Sequence, residues 1–443
     1  MVFKKLFKKR ENKVVVLGLD GVPYSLLSKF ADEGIMPNLS KLKEQGTLCS
    51  MTASIPEVSS TSWSTFMTGV NPGRHGIYGF MELQRENYLW RFPNFLDLKS
   101  KTIWEVAGEH DKKSIVINIP STYPAKPLNG MLVAGFVALD LKKASYPDSM
   151  YQYLNNIGYR LDVDASKAVK FVDEFCDDIL QTFKKRVEAI NYLYDSEEWD
   201  IFIAAITETD RLHHYLWIAL EDSSHPKHDF FINFYVELDK FIGALYKKVD
   251  SDMPFIMLSD HGFTTIKKEV YLNVFLHEKE YLKFKTSNPE SFSDIDGSSL
   301  AFVLDPSRIY LHMKDKYPYG CVDSNSYEKL RNTLKADLLS LSVDGERVIK
   351  GVYFKEDIYS GECFSDAPDL VVLPYEGYDL KGSITKNELT GKTLLTGGHT
   401  RENATFYINR KINCKNPNII DVGVTILRLL DIDIYNLDGK PLI

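Results

Sequence analysis

The sequence predicts an α/β protein in which a doubly wound, mostly parallel sheet carries helices on both faces. Short apolar runs of strand length alternate with stretches in which apolar residues recur every three or four positions. Continuously apolar strands are typical of parallel sheets, because helices cover both faces of such sheets. A chain of 443 residues that is 44% hydrophobic is also long enough to bury a large core.

The first predicted strand is Val14 to Leu19, a run of apolar residues interrupted only by a glycine. A helix follows, because Pro23 suits a first helical turn and the next apolar residues lie on one helical face. Gly34 and Pro37 interrupt this pattern before a second short helix at 39–44. The apolar runs 114–119 and 131–136 predict two further strands.

The middle of the chain gives the clearest helical period, at 168–194. It is followed by predicted strands at 199–206 and 254–258 and by predicted helices at 210–219 and 230–247. Asp20, Asp210 and Asp260 therefore all lie just past the carboxyl ends of predicted strands. Ligands bind at that edge in open α/β sheets, so we expect these three carboxylates to share a site.

From about residue 266 to 365 the pattern changes to shorter, mixed segments separated by turns. We interpret this stretch as an inserted α+β subdomain that flanks the site and restricts its substrates. The strand 371–373 and the stretch 419–430 are predicted to complete the main sheet and its covering helix. The predicted organisation is a basic tail at 1–13, a core at 14–265 and 366–443, and the insertion at 266–365.

Composition excludes several classes of protein. A net charge of −8 argues against a surface that binds a nucleic-acid polymer, and no apolar stretch reaches the 20 or so residues that cross a membrane. The five cysteines are odd in number and scattered, which is not typical of a disulfide framework and predicts a cytoplasmic protein. The basic first ten residues predict a solubilising tail, with weak contact to a membrane surface as the alternative. The sequence leaves the oligomeric state open.

A set of carboxylates, imidazoles and one hydroxyl predicts a site for two divalent metal ions. Asp210 and His214 are four positions apart, which brings both side chains to one face of a helix. Oxygen and imidazole ligands suit zinc and also manganese, and two such ions about 4 Å apart clamp the attacking and leaving oxygens of a phosphoryl group. The candidate ligands are Asp20, Ser59, Asp210, His214, Asp260, His261 and His399.

Each of these residues also has a purely structural explanation when it is considered alone. Asp210 suits the start of a helix, and Asp20-Gly21 and Asp260-His261-Gly262 suit turns that end strands. Two glycines precede His399, which alone would be a loop histidine. Taken together, and in this order along the chain, these residues make a nearly complete set of metal ligands. This favours the metal site over a separate structural explanation for each residue. The adjacent His213 points to a different helical face and is predicted to support or pack against the site.

These motifs resemble the alkaline phosphatase superfamily, and within it the bacterial type I phosphodiesterase/nucleotide pyrophosphatase branch, over nearly the whole chain. Three further segments share the resemblance: Met36 to Leu39, Thr68 to Ile77 and Asn118 to Pro124. The resemblance implies an alkaline-phosphatase-like fold with a nucleophilic hydroxyl at Ser59, for which Ser60 and Thr61 are the local competitors. It also implies one metal on Asp20, Asp260, His261 and the nucleophile, and a second on Asp210, His214 and His399.

Two departures from related families narrow the chemistry: the first disfavours sulfatase activity, and the second favours phosphodiesters. Sulfatases of the superfamily carry a different sequence after the nucleophile position, where this chain reads Ser60-Thr61-Ser62-Trp63. Monoesterases tend to use an added arginine for the doubly charged phosphate, and no arginine occurs between Arg10 and Arg74. A third departure, Phe80 where nucleotide pyrophosphatases carry a phosphate-binding asparagine, puts nucleotide specificity in doubt.

The predicted function is therefore a two-metal phosphodiesterase, acting on a small phosphorylated substrate through a covalent phosphoseryl intermediate. A hydroxyl at the start of the predicted helix 61–67 lies near the positive end of the helix dipole, which favours its ionised form. The first alternative is a phosphomonoesterase or phosphotransferase on the same scaffold. The second, from another class, is a member that binds a phosphorylated ligand without cleaving it.

Overall fold

The computed structural model describes residues 12–392, 394–433 and 435–443. In chain order its strands are β1 Val14–Leu19, β2 Thr47–Met51, β3 Glu82–Leu83, β4 Trp90–Arg91, β5 Ser114–Ile119, β6 Gly130–Ala134, β7 Ser145–Tyr146, β8 Ile201–Ile206, β9 Phe255–Leu258, β10 Gly262–Thr265, β11 Lys268–Tyr271, β12 Ala301–Leu304, β13 Arg308–Leu311, β14 Ser342–Val343, β15 Glu346–Arg347, β16 Ile349–Phe354, β17 Leu370–Pro374, β18 Tyr378–Lys381, β19 Thr390–Gly391, β20 Gly397–Thr400 and β21 Ala404–Ile408.

The α-helices lie between these strands, and short 3-10 turns cover Ala165–Lys167, Phe292–Asp294, Ser324–Ser326 and Phe364–Asp366. In chain order the helices are α1 Tyr24–Asp32, α2 Pro37–Gln45, α3 Ser59–Thr68, α4 Pro72–His75, α5 Ile103–Gly108, α6 Asp148–Asn156, α7 Val172–Ser196, α8 Glu208–Glu221, α9 His228–Tyr246, α10 Leu272–Glu278, α11 Tyr327–Ser340, α12 Lys355–Ile358 and α13 Ile419–Leu429.

The predicted fold class is confirmed by an eight-stranded sheet with the order β2-β21-β9-β1-β8-β5-β6-β7. The strands from β9 to β6 are parallel, whereas β21 and β7 run in the opposite direction, and the edge strand β2 pairs antiparallel with β21. The first strand lies at the centre, and all six of its residues are buried. This placement follows from its continuous apolar run, because a central parallel strand is covered on both faces.

Two hydrophobic cores cover the two faces of this sheet. Val15 and Leu17 of β1 face one core, which contains apolar residues of α1, α2 and α6 to α9. Val14 and Val16 face the other core, which contains residues of α3, α5 and α13. Successive side chains of a strand alternate between the faces, so one short apolar run contributes to both cores. The helices on the two faces then hold the strand ends in fixed relation to one another.

A third core lies in the region that the sequence predicts as an insertion. Here the four-stranded sheet β12-β13-β17-β16 packs with α10 and α11, and β11 pairs with β18 and β19. The expectation that 371–373 completes the main sheet is wrong, since Leu370–Pro374 pairs with β13 and β16. The edge region of the main sheet is filled instead by Ala404–Ile408. A buried apolar run predicts a strand but does not identify the sheet that the strand joins.

The boundaries of the inserted region stay a prediction. Its start at 266 follows directly after β10, which pairs with β20 near the main sheet. Its predicted end at 365 falls before β17, β18 and β19, although all three strands pair within the inserted region. The strand pairing therefore favours an end near Gly391 over one at 365.

Further observations concern the cysteines, the apolar helices and the basic tail that the sequence predicts. The Sγ atoms of Cys49 and Cys414 lie 2.7 Å apart, although the two residues are far apart in the chain and both are free thiols. No helix in the described part of the chain is long and apolar enough to cross a membrane. The predicted basic tail falls outside the described residues, apart from Asn12 and Lys13.

Candidate two-metal active site

Three neighbouring strands of the main sheet bring the three aspartates together. The strands β9, β1 and β8 are adjacent, and Asp260, Asp20 and Asp210 follow them at the same edge of the sheet. Gly21, with φ +64°, makes the turn after Asp20, and its N–H donates to Oδ1 of Asp260 over 3.0 Å. A Cβ at this position would lie 2.6 Å from the Phe263 ring, so the turn requires glycine.

A short antiparallel pair of strands carries His399 back to this edge. The strand β10 begins directly after His261, and β20 pairs with it so that Phe263 is opposite His399. His214 lies one helical turn beyond Asp210 on α8, as the spacing predicts. Sequence reasoning could place His399 near the site only by its order in the motif set, because the pairing that positions it is long range.

All three imidazoles are oriented in the same way. Each Nδ1 lies 3.0 Å from a backbone carbonyl oxygen: His261 contacts Gly262, His214 contacts Gly397 and His399 contacts Glu57. A carbonyl can only accept, so each Nδ1 donates its proton and each Nε2 keeps a free lone pair. Imidazoles that ligate metals are oriented by the same kind of contact from their second ring nitrogen.

The six side chains form two adjoining groups whose ligand atoms lie within 4.8 Å of one another in each group. One group is Asp20, Asp260 and His261, and the other is Asp210, His214 and His399. The groups meet where Oδ1 of Asp210 lies 4.0 Å from Nε2 of His261. The predicted ligands therefore converge on one compact centre.

These residues fit two bound cations. Oδ1 of Asp210 and Oδ2 of Asp260 are buried and have no hydrogen-bond partner in the described chain. The Nε2 atoms of His214 and His399 lie 3.1 Å apart although both offer lone pairs. Buried acceptors that face one another without a donor are costly, and cations between them would remove that cost. The donor set of carboxylate oxygens and imidazole nitrogens suits zinc or manganese.

Burial and mutual repulsion shift the titration of the carboxyl groups. Burial, together with the charges of Asp260 and Asp210, raises the pKa of Asp20 well above its usual range. Burial also raises the pKa of Asp260 to about 6. Burial acts in the same direction on Asp210, but the His214 and His399 imidazoles outweigh it and hold the pKa of Asp210 below its usual range. The three carboxylates therefore repel one another strongly when no cation is bound.

Burial keeps two of the imidazoles neutral. It lowers the pKa of His214 to about 4 and holds the pKa of His261 well below its usual range. A neutral imidazole is the form that ligates a metal, so the environment presents these side chains ready to bind.

Among Ser59, Ser60 and Thr61, only Ser59 has a hydroxyl that contacts the ligand residues, and both of its contacts belong to the group of Asp20, Asp260 and His261. Its Oγ lies 3.1 Å from Nε2 of His261 and 3.4 Å from Oδ1 of Asp20. The hydroxyls of Ser60 and Thr61 are buried without a hydrogen-bond partner in the described chain. The helix begins at Ser59 itself, two residues earlier than predicted, because Val58 is the residue that precedes the first helical turn.

Several residues that sequence reasoning missed hold the site in place. Trp63 donates its indole N–H to Oδ2 of Asp20 over 3.1 Å, and Thr209 donates its hydroxyl to the Asp20 carbonyl over 2.6 Å. His213 contacts the carbonyl of Gly21 through Nδ1 at 2.9 Å, which agrees with its predicted supporting role. None of these contacts follows from a local motif, since each joins distant parts of the chain.

A cavity of about 310 Å³ opens beside His214 and His399. The core contributes Glu57, Phe80 and Arg401 to its wall, and the inserted region contributes Asp305, Tyr375 and Tyr378. Trp63 and Trp217 are not part of this lining and are buried in the core. A substrate bound in this cavity would contact both the ligand groups and the insertion.

A doubly wound sheet with this ligand cluster at its carboxyl edge is the architecture of the alkaline phosphatase superfamily. The family model for type I phosphodiesterase/nucleotide pyrophosphatase matches residues 14–400, so the chain belongs to that family of phosphoester hydrolases. The sequence-based resemblance is thereby confirmed. None of the curated proteins matches this chain significantly in sequence.

Solved structures share the fold over nearly the whole chain. Phosphonoacetate hydrolase from Sinorhizobium meliloti 1021, in complex with phosphonoformate, is similar with a TM-score of 0.64 and 16% identity, over 95% of this chain and 96% of its own. Murine ectonucleotide pyrophosphatase/phosphodiesterase 5 gives 0.56 and 14%, over 97% and 98%. The human form of that protein gives 0.55 and 14%, over 97% of each chain. At these identities the likeness shows the fold alone.

Proposed function

We propose that the protein is a two-metal phosphodiesterase that forms a covalent phosphoseryl intermediate on Ser59. One observation carries the proposal: the Ser59 hydroxyl, at the first residue of a helix, lies 3.1 Å from His261 beside two adjoining groups of metal-ligating side chains. This arrangement combines a nucleophile with sites for two cations in a single buried centre.

The proposed assignment of ligands follows the two groups. Asp20, Asp260 and His261 would hold one ion together with Ser59, and Asp210, His214 and His399 would hold the other. Zinc is the ion that we propose first, with manganese as the alternative. Such ions would lower the pKa of the serine hydroxyl and stabilise the oxygen that departs from phosphorus.

In the proposed reaction the Ser59 Oγ attacks phosphorus and forms an O–P bond while the bond to the leaving alcohol breaks. The leaving oxygen keeps the electron pair of that bond and takes up a proton. Water then cleaves the phosphoserine and releases the second product. The N–H groups of Ser59 and Ser60 donate to no residue of the described chain, so they are free to donate to a phosphoryl oxygen.

The substrate that we propose is a small phosphodiester, in a cytoplasmic setting that fits five free thiols. Membership in the type I phosphodiesterase/nucleotide pyrophosphatase family supports diesters over monoesters. We propose that the inserted region sets substrate choice, because it supplies one wall of the cavity beside His399. A phosphomonoesterase or phosphotransferase remains the alternative activity. A binding protein without catalysis is disfavoured, because the nucleophile and all six ligands are present together.

Turnover of matched esters tests the proposal. The metal-loaded enzyme is expected to cleave bis-p-nitrophenyl phosphate with a higher kcat/KM than p-nitrophenyl phosphate, since that ratio reports differential binding of the transition states. Acid quenching during turnover, followed by peptide mass analysis, should find a phosphoryl group on Ser59. A preference for the monoester would favour the alternative activity. An enzyme that cleaves no ester with either zinc or manganese would refute the proposed function.

A further inference from the structure

Three cationic side chains line the cavity beside the ligand groups, and they are paired to very different extents. The Lys381 Nζ lies 2.8 Å from Asp379, and the Lys350 Nζ lies 3.2 Å from Oε1 of Glu402. The Arg401 guanidinium reaches the same Glu402 oxygen only at 3.7 Å. Lys350 and Arg401 thus share the Glu402 carboxylate, and the contact of Arg401 with it is the longer of the two.

The Arg401 guanidinium makes no hydrogen bond to the described chain. Its Nε is buried without a partner, and its side chain is 23% exposed. A guanidinium carries five N–H donors in a fixed fork, and leaving such donors unpaired away from water is costly. Buried arginines are normally satisfied by carboxylates or carbonyls, as Arg308 is by the carbonyl of Met81 at 2.5 Å. The buried Nε–H of Arg401 has no such acceptor in the described chain, so the guanidinium can donate to a ligand that enters the cavity.

The position of Arg401 places these donors next to the proposed reaction centre. Arg401 lies two residues after His399, and its carbonyl accepts from the N–H of Ala53 over 2.9 Å, which fixes the backbone there. Its side chain shares the cavity wall with Glu57 and His399. The lining of the same cavity includes Phe80, which offers no hydrogen bond to a substrate oxygen.

We propose that Arg401 binds an anionic oxygen of the substrate and thereby determines which phosphoric esters the enzyme prefers. This inference rests on the proposed function and adds a specificity residue to it. A guanidinium can donate two parallel hydrogen bonds to a phosphate or a carboxylate. This contact would be stronger than that of the neutral asparagine amide which nucleotide pyrophosphatases carry at the position of Phe80. The bound oxygen belongs either to the phosphoryl group under attack or to an anionic group on the leaving part of the substrate.

Two substrates separate these sources. Bis-p-nitrophenyl phosphate has no anionic group besides the phosphoryl under attack, whereas diadenosine diphosphate carries a second phosphate on its leaving part. Arg401→Gln is expected to lower kcat/KM about 10- to 100-fold, as the loss of a charged hydrogen-bond donor does. A loss on both substrates assigns the contact to the phosphoryl group, and a loss on diadenosine diphosphate alone assigns it to the leaving part. Lys381→Gln is the matched control, because it removes a cation of the same cavity that is already paired with Asp379.

Changes within about twofold on both substrates, or equal losses in Arg401→Gln and Lys381→Gln, would overturn the inference. The bound metal content of Arg401→Gln should equal that of the wild type. A parallel loss of metal and activity would show an effect through His399 and would also overturn it. Arg401→Lys keeps the charge without the fork and should recover only part of the lost kcat/KM.

Calorimetry with inorganic pyrophosphate tests the role of Arg401 without depending on turnover, and so separately from the proposed function. If the wild type cleaves neither ester, the proposed function fails, but the binding experiment still tests Arg401. The metal-loaded wild type is expected to bind pyrophosphate about 10-fold more tightly than Arg401→Gln. Equal affinities of the two proteins would contradict the assignment.

Discussion

Trp63 donates its indole N–H to Oδ2 of Asp20 over 3.1 Å, so the helix that begins with Ser59 also orients a carboxylate of the proposed metal site. The indole is fully buried, and its ring packs against Gly18 of the central strand, where a Cβ would lie 2.5 Å from the ring. The nucleophile, the indole and the carboxylate are therefore fixed relative to one another by one helix packed on one strand.

Removal of this indole donor should weaken metal binding. Trp63→Phe leaves Oδ2 of Asp20 without its donor, and loss of a contact that orients a ligand typically lowers metal affinity 10-fold or more, so we expect about a 10-fold rise in the zinc Kd. Competition with a chromogenic chelator measures that Kd. Trp104→Phe is the control, since Trp104 is equally buried but lies away from the ligands. Equal zinc affinities in the two variants would contradict this role of Trp63.

Ser59→Ala should abolish catalysis while leaving the fold and the metal content intact. The hydroxyl is the proposed nucleophile, so we expect kcat for bis-p-nitrophenyl phosphate to fall at least about 1,000-fold. Ser60→Ala should keep most of the activity, because the Ser60 hydroxyl contacts neither ligand group. A Ser59→Ala enzyme that retains activity, or a Ser60→Ala enzyme that loses it, would move the nucleophile to another residue.

Most of the main sheet could be predicted from the sequence because its strands are continuous apolar runs. The run from Val14 to Leu19 needs two covered faces, and only a central strand provides them. The same reasoning wrongly placed 371–373 in the main sheet, because an equally apolar strand also suits the smaller sheet of the insertion. The choice between the sheets depends on long-range pairing, which local periodicity does not encode.

The ligand set could be predicted because each aspartate follows a strand and the spacing of Asp210 and His214 matches a helical turn. The surroundings of the ligands could not be predicted in the same way. Trp63 and Arg401 are joined to the site by packing of distant segments, and neither belongs to a spacing pattern. Arg401 lies two residues after His399, and that proximity was the one local signal available.

Asp260→Asn should stabilise the metal-free protein at pH 7 and reduce its response to zinc. The pKa of Asp260 is raised to about 6, so the folded state binds this proton more tightly than the unfolded state does. Its contribution to stability is therefore present at low pH and is lost as the pH rises from about 4 through 6. The amide removes that loss, so the metal-free variant should have the higher Tm at pH 7.

Zinc at 100 times its Kd should stabilise the wild type by about 2.7 kcal/mol and the Asp260→Asn variant by less. Differential scanning fluorimetry with and without zinc measures both effects, and Asp250→Asn, at an exposed site, is the control. A variant that is less stable than the metal-free wild type, yet responds fully to zinc, would contradict the predicted role of this carboxylate.

The buried, neutral side chain of His75 should lower the free energy of unfolding as the pH falls. Burial lowers the pKa of His75 to about 3, its Nε2 donates to Thr65 over 3.0 Å, and its Nδ1 accepts from the N–H of Ile77. Between about pH 6.5 and 3 the unfolded state binds a proton at this residue that the folded state does not. The free energy of unfolding therefore falls with decreasing pH, by up to about 1.4 kcal/mol per pH unit from this group.

Urea denaturation at several pH values measures this slope. His75→Gln should show a shallower dependence than the wild type between pH 4 and 6, in line with the loss of one titrating group. His110→Gln changes an exposed histidine and should keep the wild-type slope. Identical slopes in His75→Gln and the wild type would show that His75 does not remain neutral in the folded state.

Six side chains from distant parts of the sequence are proposed to hold two adjoining cations beside Ser59. Anomalous diffraction from crystals grown with zinc would locate these ions. Two peaks about 4 Å apart are expected, one bounded by Asp20, Asp260 and His261 and the other by Asp210, His214 and His399. A single peak, or peaks located away from these two groups, would contradict this proposal.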